Sequence, residues 1–188
     1  MITSLINDIS KICIKYNKIN DIHNLYYEIK NILLELDNQI LLKELDNYNF
    51  LNTINIDGYN KYIIYSSDIF DIILIKWDKN CQSKIHDHPN KGCLLKILSG
   101  KLCEEVYDNK LNIIESNVLS AKLDLVPNRP DGVLSAKLDL VPNRPDGVLQ
   151  KFDISYRIGN EILHKIIASE DSYSLHIYIP GRYKPIYY

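Results

Sequence analysis

From about Ile54 onward the sequence is a succession of short runs rich in isoleucine, tyrosine and valine: "KYIIYS", "DIILIKW", "CLLKILSG", "KLCEEVYD", "YRIG" and "YSLHIYIP", set apart by Gly, Asn, Asp and Pro. No helical period intervenes. Runs of this length and composition, punctuated by turn formers, read as strands. Many such strands in succession predict a mainly β chain folded as a sandwich or jelly-roll barrel, whose interior holds one small ligand or metal.

The first fifty residues differ. Ile2, Leu5, Ile6, Ile9, Ile12, Cys13 and Tyr16 recur at steps of three and four, and Leu25, Tyr26, Ile29, Ile32, Leu33 and Leu36 do so after a break near Asn20 and Asp21. That is the period of amphipathic helices. One domain over residues 1–188 is therefore expected, with a helical segment at 1–50 and a β-barrel at 54–188. A chain of 188 residues that is 46% hydrophobic has enough material for one real core.

Charge and cysteine usage narrow the partners. The formal charge is −2 and lysine and arginine are spread along the chain, which leaves no footprint for nucleic acid or an anionic membrane. The N-terminus "MITSLINDISKICIKYNK" mixes polar with apolar residues and forms no signal-peptide core. We expect a soluble cytoplasmic monomer acting on a small molecule. Cys13, Cys81, Cys93 and Cys103 make no CxxC pair and are read as reduced thiols.

One segment is foreign to its surroundings. "SAKLDLVPNRPDGVL" runs from Ser120 to Leu134 and repeats without change from Ser135 to Leu149. The pair contains Pro127, Pro130, Pro142 and Pro145 and no Ile, Tyr or Cys. Two short perfect copies fall below what a solenoid needs, and "PNRPDG" is turn chemistry. Residues 120–149 are read as a duplicated surface insertion, tolerated because closing a long loop costs little more than closing a short one.

The chemistry gathers at "HDHPNKGCLLKILSG", His86 to Gly100. On a strand, His86 and His88 point the same way and Asp87 points away, so two imidazoles could share one ion. The other histidines are His23, on a helix, and His164 and His176, in strand-like text near the C-terminus. Cys93 has a plainer reading as a small buried hydrophobe, and His176 and Tyr178 as ordinary core residues.

This stretch resembles the first cupin motif, in which H-x-H is followed by a third ligand, usually Glu, and a glycine turn. Here Cys93 stands at the Glu position and Gly100 at the turn. Cysteine for carboxylate, together with Trp77, "EILHKI" and "SLHIY", resembles cysteine dioxygenase type I, a cupin iron enzyme that oxidises free cysteine to its sulfinate. The resemblance runs from the helical N-terminus to "YIP". It implies an Fe(II) site on His86, His88 and His164. It also implies a hydrogen-bonded relay through Ser174, His176 and Tyr178, and a thioether crosslink between Cys93 and Tyr178. Removing both copies of the repeat restores the family's spacing between Gly100 and His164.

Three neutral imidazoles leave a divalent metal its full charge, which attracts a thiolate, and three ligands leave positions open for substrate and O₂. Ser174, His176 and Tyr178 alternate along one strand and so share a face.

The sequence departs from the family at the substrate carboxylate. The family's arginine falls on Lys61, beside Tyr59, and lysine is a point charge without arginine's fork. Arg182, four residues after Tyr178, is a candidate replacement on a tail that folds over the barrel mouth. The family's Pro-Pro, which carries an unusual cis bond, reads here Pro180-Gly181. Gly92 is expected to let the backbone approach the metal. The expected activity is oxidation of L-cysteine with O₂. The alternatives are a dioxygenase of 3-mercaptopropionate or of an N-terminal cysteine, and a non-catalytic metal-binding cupin.

Overall fold

The computed structural model describes residues 1–17, 21–121, 151–160 and 162–188. Three helices come first: α1 (Ile2–Asn17), α2 (Ile22–Glu35) and α3 (Asn38–Leu45). The three-and-four spacing gives α1 a buried stripe of Ile2, Leu5, Ile9, Ile12, Cys13 and Tyr16, and gives α2 one of Leu25, Tyr26, Ile29 and Leu33. Asp21 and Asp37 cap the second and third helices through backbone N–H groups of the first turn.

Ten strands follow: β1 (Asn52–Ile56), β2 (Tyr59–Ser66), β3 (Asp71–Trp77), β4 (Cys93–Ser99), β5 (Lys101–Tyr107), β6 (Ile113–Ser120), β7 (Lys151–Phe152), β8 (Ile154–Arg157), β9 (Leu163–Ala168) and β10 (Ser172–Tyr178). They form a six-stranded sheet in the order β1-β2-β3-β10-β4-β8 and a four-stranded sheet in the order β7-β6-β5-β9. All pairs are antiparallel except the short β6–β7 pair. The mainly β, two-sheet architecture behind an α-helical segment is the one expected of a cupin.

Two cores result, one on each face of the six-stranded sheet. Against its outer face the helices bury a cluster that includes Ile9, Ile29, Leu33, Leu94, Leu98, Leu175 and Ile177. Lys96, also outward-facing, is only 3% exposed. Its ammonium donates to the carbonyl oxygens of Leu33 and Leu36, which ties the C-terminus of α2 to β4. Between the sheets lies a second cluster with Ile75, Trp77, Leu95, Ile97, Leu102, Leu119 and Ile166. Gly100 makes the β4–β5 turn at φ +79, and a Cβ there would collide with Ser172 Oγ. The turn therefore requires glycine.

Only Ser120 and Ala121 of the duplicated segment fall among the described residues. The chain leaves β6 at Ser120 and is described again at Lys151, whose register partner is Val118. The excursion thus begins and ends at neighbouring points on the four-stranded sheet.

Candidate metal centre

Two elements bring three imidazoles together. His164 lies on β9, while His86 and His88 lie on the extended segment between β3 and β4. That segment is not a full strand, as "HDH" had suggested. It is held by an isolated antiparallel bridge in which His86 N donates to His164 O at 3.0 Å and His164 N returns a bond to His86 O at 3.1 Å. The ligand atoms of the three side chains all lie within 4.8 Å of one another.

Neighbours set the tautomers of His86 and His164, while His88 Nδ1 is buried without a partner among the described residues. His86 Nδ1 is 2.8 Å from the carbonyl of Lys84, so it carries the proton and its Nε2 lone pair is free. His164 Nδ1 is 2.7 Å from Glu104 Oε1, with the same consequence. The Nε2 atoms then face one another, His88 to His164 at 3.0 Å and His164 to His86 at 3.2 Å. Bonds of about 2.1 Å at right angles put neighbouring donor nitrogens about 3.0 Å apart. Burial lowers all three pKa values, that of His86 to about 4, and for His88 the other two imidazoles push the same way. A cluster of neutral imidazoles turning lone pairs toward one point fits a divalent transition metal.

Glu104 is the residue the sequence did not disclose. Its side chain is fully buried between the sheets and bridges them. From β9 it accepts the His164 Nδ1 proton, and from β8 it accepts Ser155 Oγ at 2.8 Å and a fork from Arg157, Nε at 3.0 Å and Nη2 at 2.6 Å. A buried carboxylate is stable only when paired and hydrogen-bonded this way. Arg157 is thereby committed to Glu104.

The expected relay is made in part and is extended at its other end. Trp77 Nε1 donates to Ser174 Oγ at 2.8 Å, and an indole nitrogen can only donate. Ser174 therefore gives its own proton to His176 Nε2, also at 2.8 Å. His176, whose pKa burial lowers to about 3, is neutral and keeps its one proton on Nδ1. That atom faces Cys93 Sγ at 4.0 Å instead of the phenol, while the His176 and Tyr178 rings stack 6.1 Å apart. Cys93 and Tyr178 are direct register partners on β4 and β10. Burial raises the pKa of both groups, so thiol and phenol face each other protonated.

A small pocket adjoins these residues, lined by Tyr59, Lys61, His86, His164, His176, Tyr178 and Tyr187 among others. Lys61 has no carboxylate or carbonyl partner among the described residues. Its ammonium lies 5.9 Å from the Tyr59 ring centroid, and burial lowers its pKa. Arg182 is not in this pocket: its guanidinium pairs with Asp68 at 2.6 Å, with both side chains largely exposed. The tail does reach the pocket, but through Tyr187. Gly92 has a packing role. At φ +93, a Cβ on it would collide with Tyr156 Cε2 and lie 2.6 Å from Arg157 O. The Ile179–Pro180 bond is cis.

A mainly β, two-sheet fold carrying three convergent buried histidines defines a cupin with a candidate metal centre. The family model for cysteine dioxygenase type I matches residues 42–186, and the chain belongs to that family. Solved structures with similar folds include KdgF from Halomonas sp. (14% identity, TM-score 0.46, covering 73% of this chain and 92% of that one). Another is an RmlC-like cupin from Shewanella frigidimarina (11%, 0.43, 72% and 92%). A third is a single-substitution variant of oxalate decarboxylase from Bacillus subtilis (10%, 0.49, 73% and 30%). Among the described residues, no helix is long and apolar enough to cross a membrane.

Proposed function

We propose that the protein is an Fe(II)-dependent thiol dioxygenase that oxidises L-cysteine to cysteine sulfinic acid. One O₂ is consumed and both of its oxygen atoms end on sulfur. The observation that carries this reading is the donor set: three neutral imidazoles with no carboxylate among them, beside a lysine that has no anionic partner among the described residues. Ferrous iron held by His86, His88 and His164 supplies the redox chemistry and the positive charge that draws a thiolate.

The rest falls to the protein's own side chains. Lys61 offers its ammonium to a substrate carboxylate, an anion that would also favour its charged form. Tyr178 stays protonated at neutral pH and presents a hydroxyl to the pocket. Trp77, Ser174 and His176 form a fixed chain of donors behind Cys93. Coupling Cys93 Sγ to a ring carbon of Tyr178 removes one hydrogen from each, with O₂ as oxidant, and would lock the phenol in place. That crosslink assists the reaction without being essential, because none of the metal ligands depends on it.

Lysine at position 61 also favours a second substrate within the same chemistry. A point charge does not demand the planar, two-pronged geometry that arginine does, so 3-mercaptopropionate is a candidate beside L-cysteine. O₂ uptake and sulfinate formation with L-cysteine, 3-mercaptopropionate and cysteamine separate these readings. Both carboxylate-bearing thiols should outpace cysteamine, and Lys61→Met should remove the difference. No uptake with any thiol after anaerobic Fe(II) loading would overturn the catalytic reading.

A further inference from the structure

The pocket is bounded on one side by the chain that follows β10. Its lining residues from the barrel, including Tyr59, Trp77, His164, His176 and Tyr178, are buried, whereas Tyr187 is 47% exposed. Tyr187 therefore stands between the pocket and solvent. Its phenol is close enough to those of Tyr59 and Tyr178 to help raise their pKa values, and its ring centroid is 6.0 Å from that of His86.

What holds Tyr187 there is Asp87, the middle residue of the "HDH" motif. Its side chain is turned away from the imidazoles, and the residue is only 2% exposed. One oxygen, Oδ1, accepts the Tyr183 hydroxyl at 2.6 Å and Ile186 N at 2.8 Å. Asp87 N donates to Ile186 O at 3.3 Å, and Tyr188 N donates to Ile85 O at 3.0 Å. His86 is thus bridged to His164 on one side and to Tyr187 on the other. The segment that carries two candidate ligands also docks the tail.

We propose that residues Tyr183–Tyr188 form a strap, docked on Asp87, that sets the outer wall of the pocket with Tyr187 and restricts the substrate to a small free thiol. A free amino thiol ends within the pocket, its carboxylate at Lys61. A peptide with an N-terminal cysteine must continue past the mouth, where Tyr187 stands. This inference rests on the thiol dioxygenase reading and narrows its substrate class.

The test compares L-cysteine with the dipeptide cysteinylglycine in the parent protein, Tyr187→Ala and Ile186→Pro. The last variant removes the N–H that docks on Asp87 and leaves Tyr187 in place. Binding is read on Co(II)-loaded protein from thiolate-to-cobalt absorption, and turnover is read as sulfinate from Fe(II)-loaded protein. Both variants should improve dipeptide affinity relative to L-cysteine by at least about tenfold, the scale on which a pocket wall discriminates. In metal-free protein, Ile186→Pro should speed hydrogen exchange at the amides of Asp87 and Tyr188.

An unchanged affinity ratio in Tyr187→Ala overturns the wall, and unchanged exchange in Ile186→Pro overturns the docking. A parent that makes no sulfinate from L-cysteine while the ratio still shifts sinks the substrate reading and leaves the wall standing. Absence of thiol binding in all three proteins overturns both.

Discussion

On β10, Leu175 and Ile177 face the helices while Ser174, His176 and Tyr178 face the space between the sheets, and β4 divides in the same way, with Leu94 and Leu98 outward and Cys93, Leu95 and Ile97 inward. The outer face of the sheet is almost wholly apolar, and its one cation among these strands, Lys96, is used to cap a helix. The inner face mixes apolar residues with Cys93, Ser174, His176 and Tyr178, and Glu104 reaches it from the opposite sheet. One strand period therefore serves two kinds of order. Outside, affinity for the helices is spread over many interchangeable contacts. Inside, each polar group has a specific partner whose loss leaves another group unsatisfied.

The sharpest way to break that contrast is His164→Ala. It removes one of three nitrogen donors and one partner of Glu104 together, so metal binding should be lost, read as metal content after Fe(II) or Co(II) loading. The core should remain folded by circular dichroism, because the outer cluster does not include His164. A variant that still binds one equivalent of metal would show that the cluster is not the site.

Ile177→Ala is the complementary cut on the outer face. Ile177 is fully buried among the helix contacts, and truncating such a residue costs about 2–5 kcal/mol. The urea midpoint should fall accordingly, while metal affinity at temperatures where the variant is folded stays at the parental value. Loss of metal affinity in a folded variant would mean that the two faces are coupled.

Glu104→Gln asks how specific the inner partners are. The amide keeps the shape and one acceptor, but it takes the negative charge from both Arg157 and His164. Removing a carboxylate that orients a ligating histidine costs about 10–100-fold in metal affinity. Competition with a chelator measures this, and parental affinity would show that the buried carboxylate serves the sheets alone.

The two faces were not equally legible. Three-and-four spacing in Ile2–Tyr16 and Leu25–Leu36 was enough to place the helices, and alternation of Ser174, His176 and Tyr178 was enough to give them one face, because both follow from backbone period. Glu104 was hidden because "KLCEEVYD" offers two adjacent glutamates, and nothing local says which one is buried under Arg157 and His164 from other strands. Arg182 misled for the same reason. Its distance from Tyr178 along the chain was right for the pocket mouth, but Asp68 and Asp71, from the loop before β3 and its first residue, hold it at the surface. The extended "HDH" segment was recognised, but its neighbours, His164 on one edge and Tyr187 on the other, are separated from it by long stretches of chain that no local pattern records.

The smallest effect is expected away from both faces, in the duplicated segment. Deleting Ser120–Leu149 outright would join Leu119 to Gln150, and β6 and β7 pair in parallel with Val118 opposite Lys151. A direct join cannot keep that two-residue parallel pair, since parallel neighbours need a long crossover. Deleting only Ser135–Leu149 leaves a complete copy of the same sequence to make the connection, and shortening a loop by half changes its closure entropy by only about 0.6 kcal/mol. The urea midpoint, metal content and sulfinate rate of this variant should match the parent. A large loss in any of them would mean that the second copy contributes contacts of its own, and the reading of the repeat as a tolerated insertion would fall.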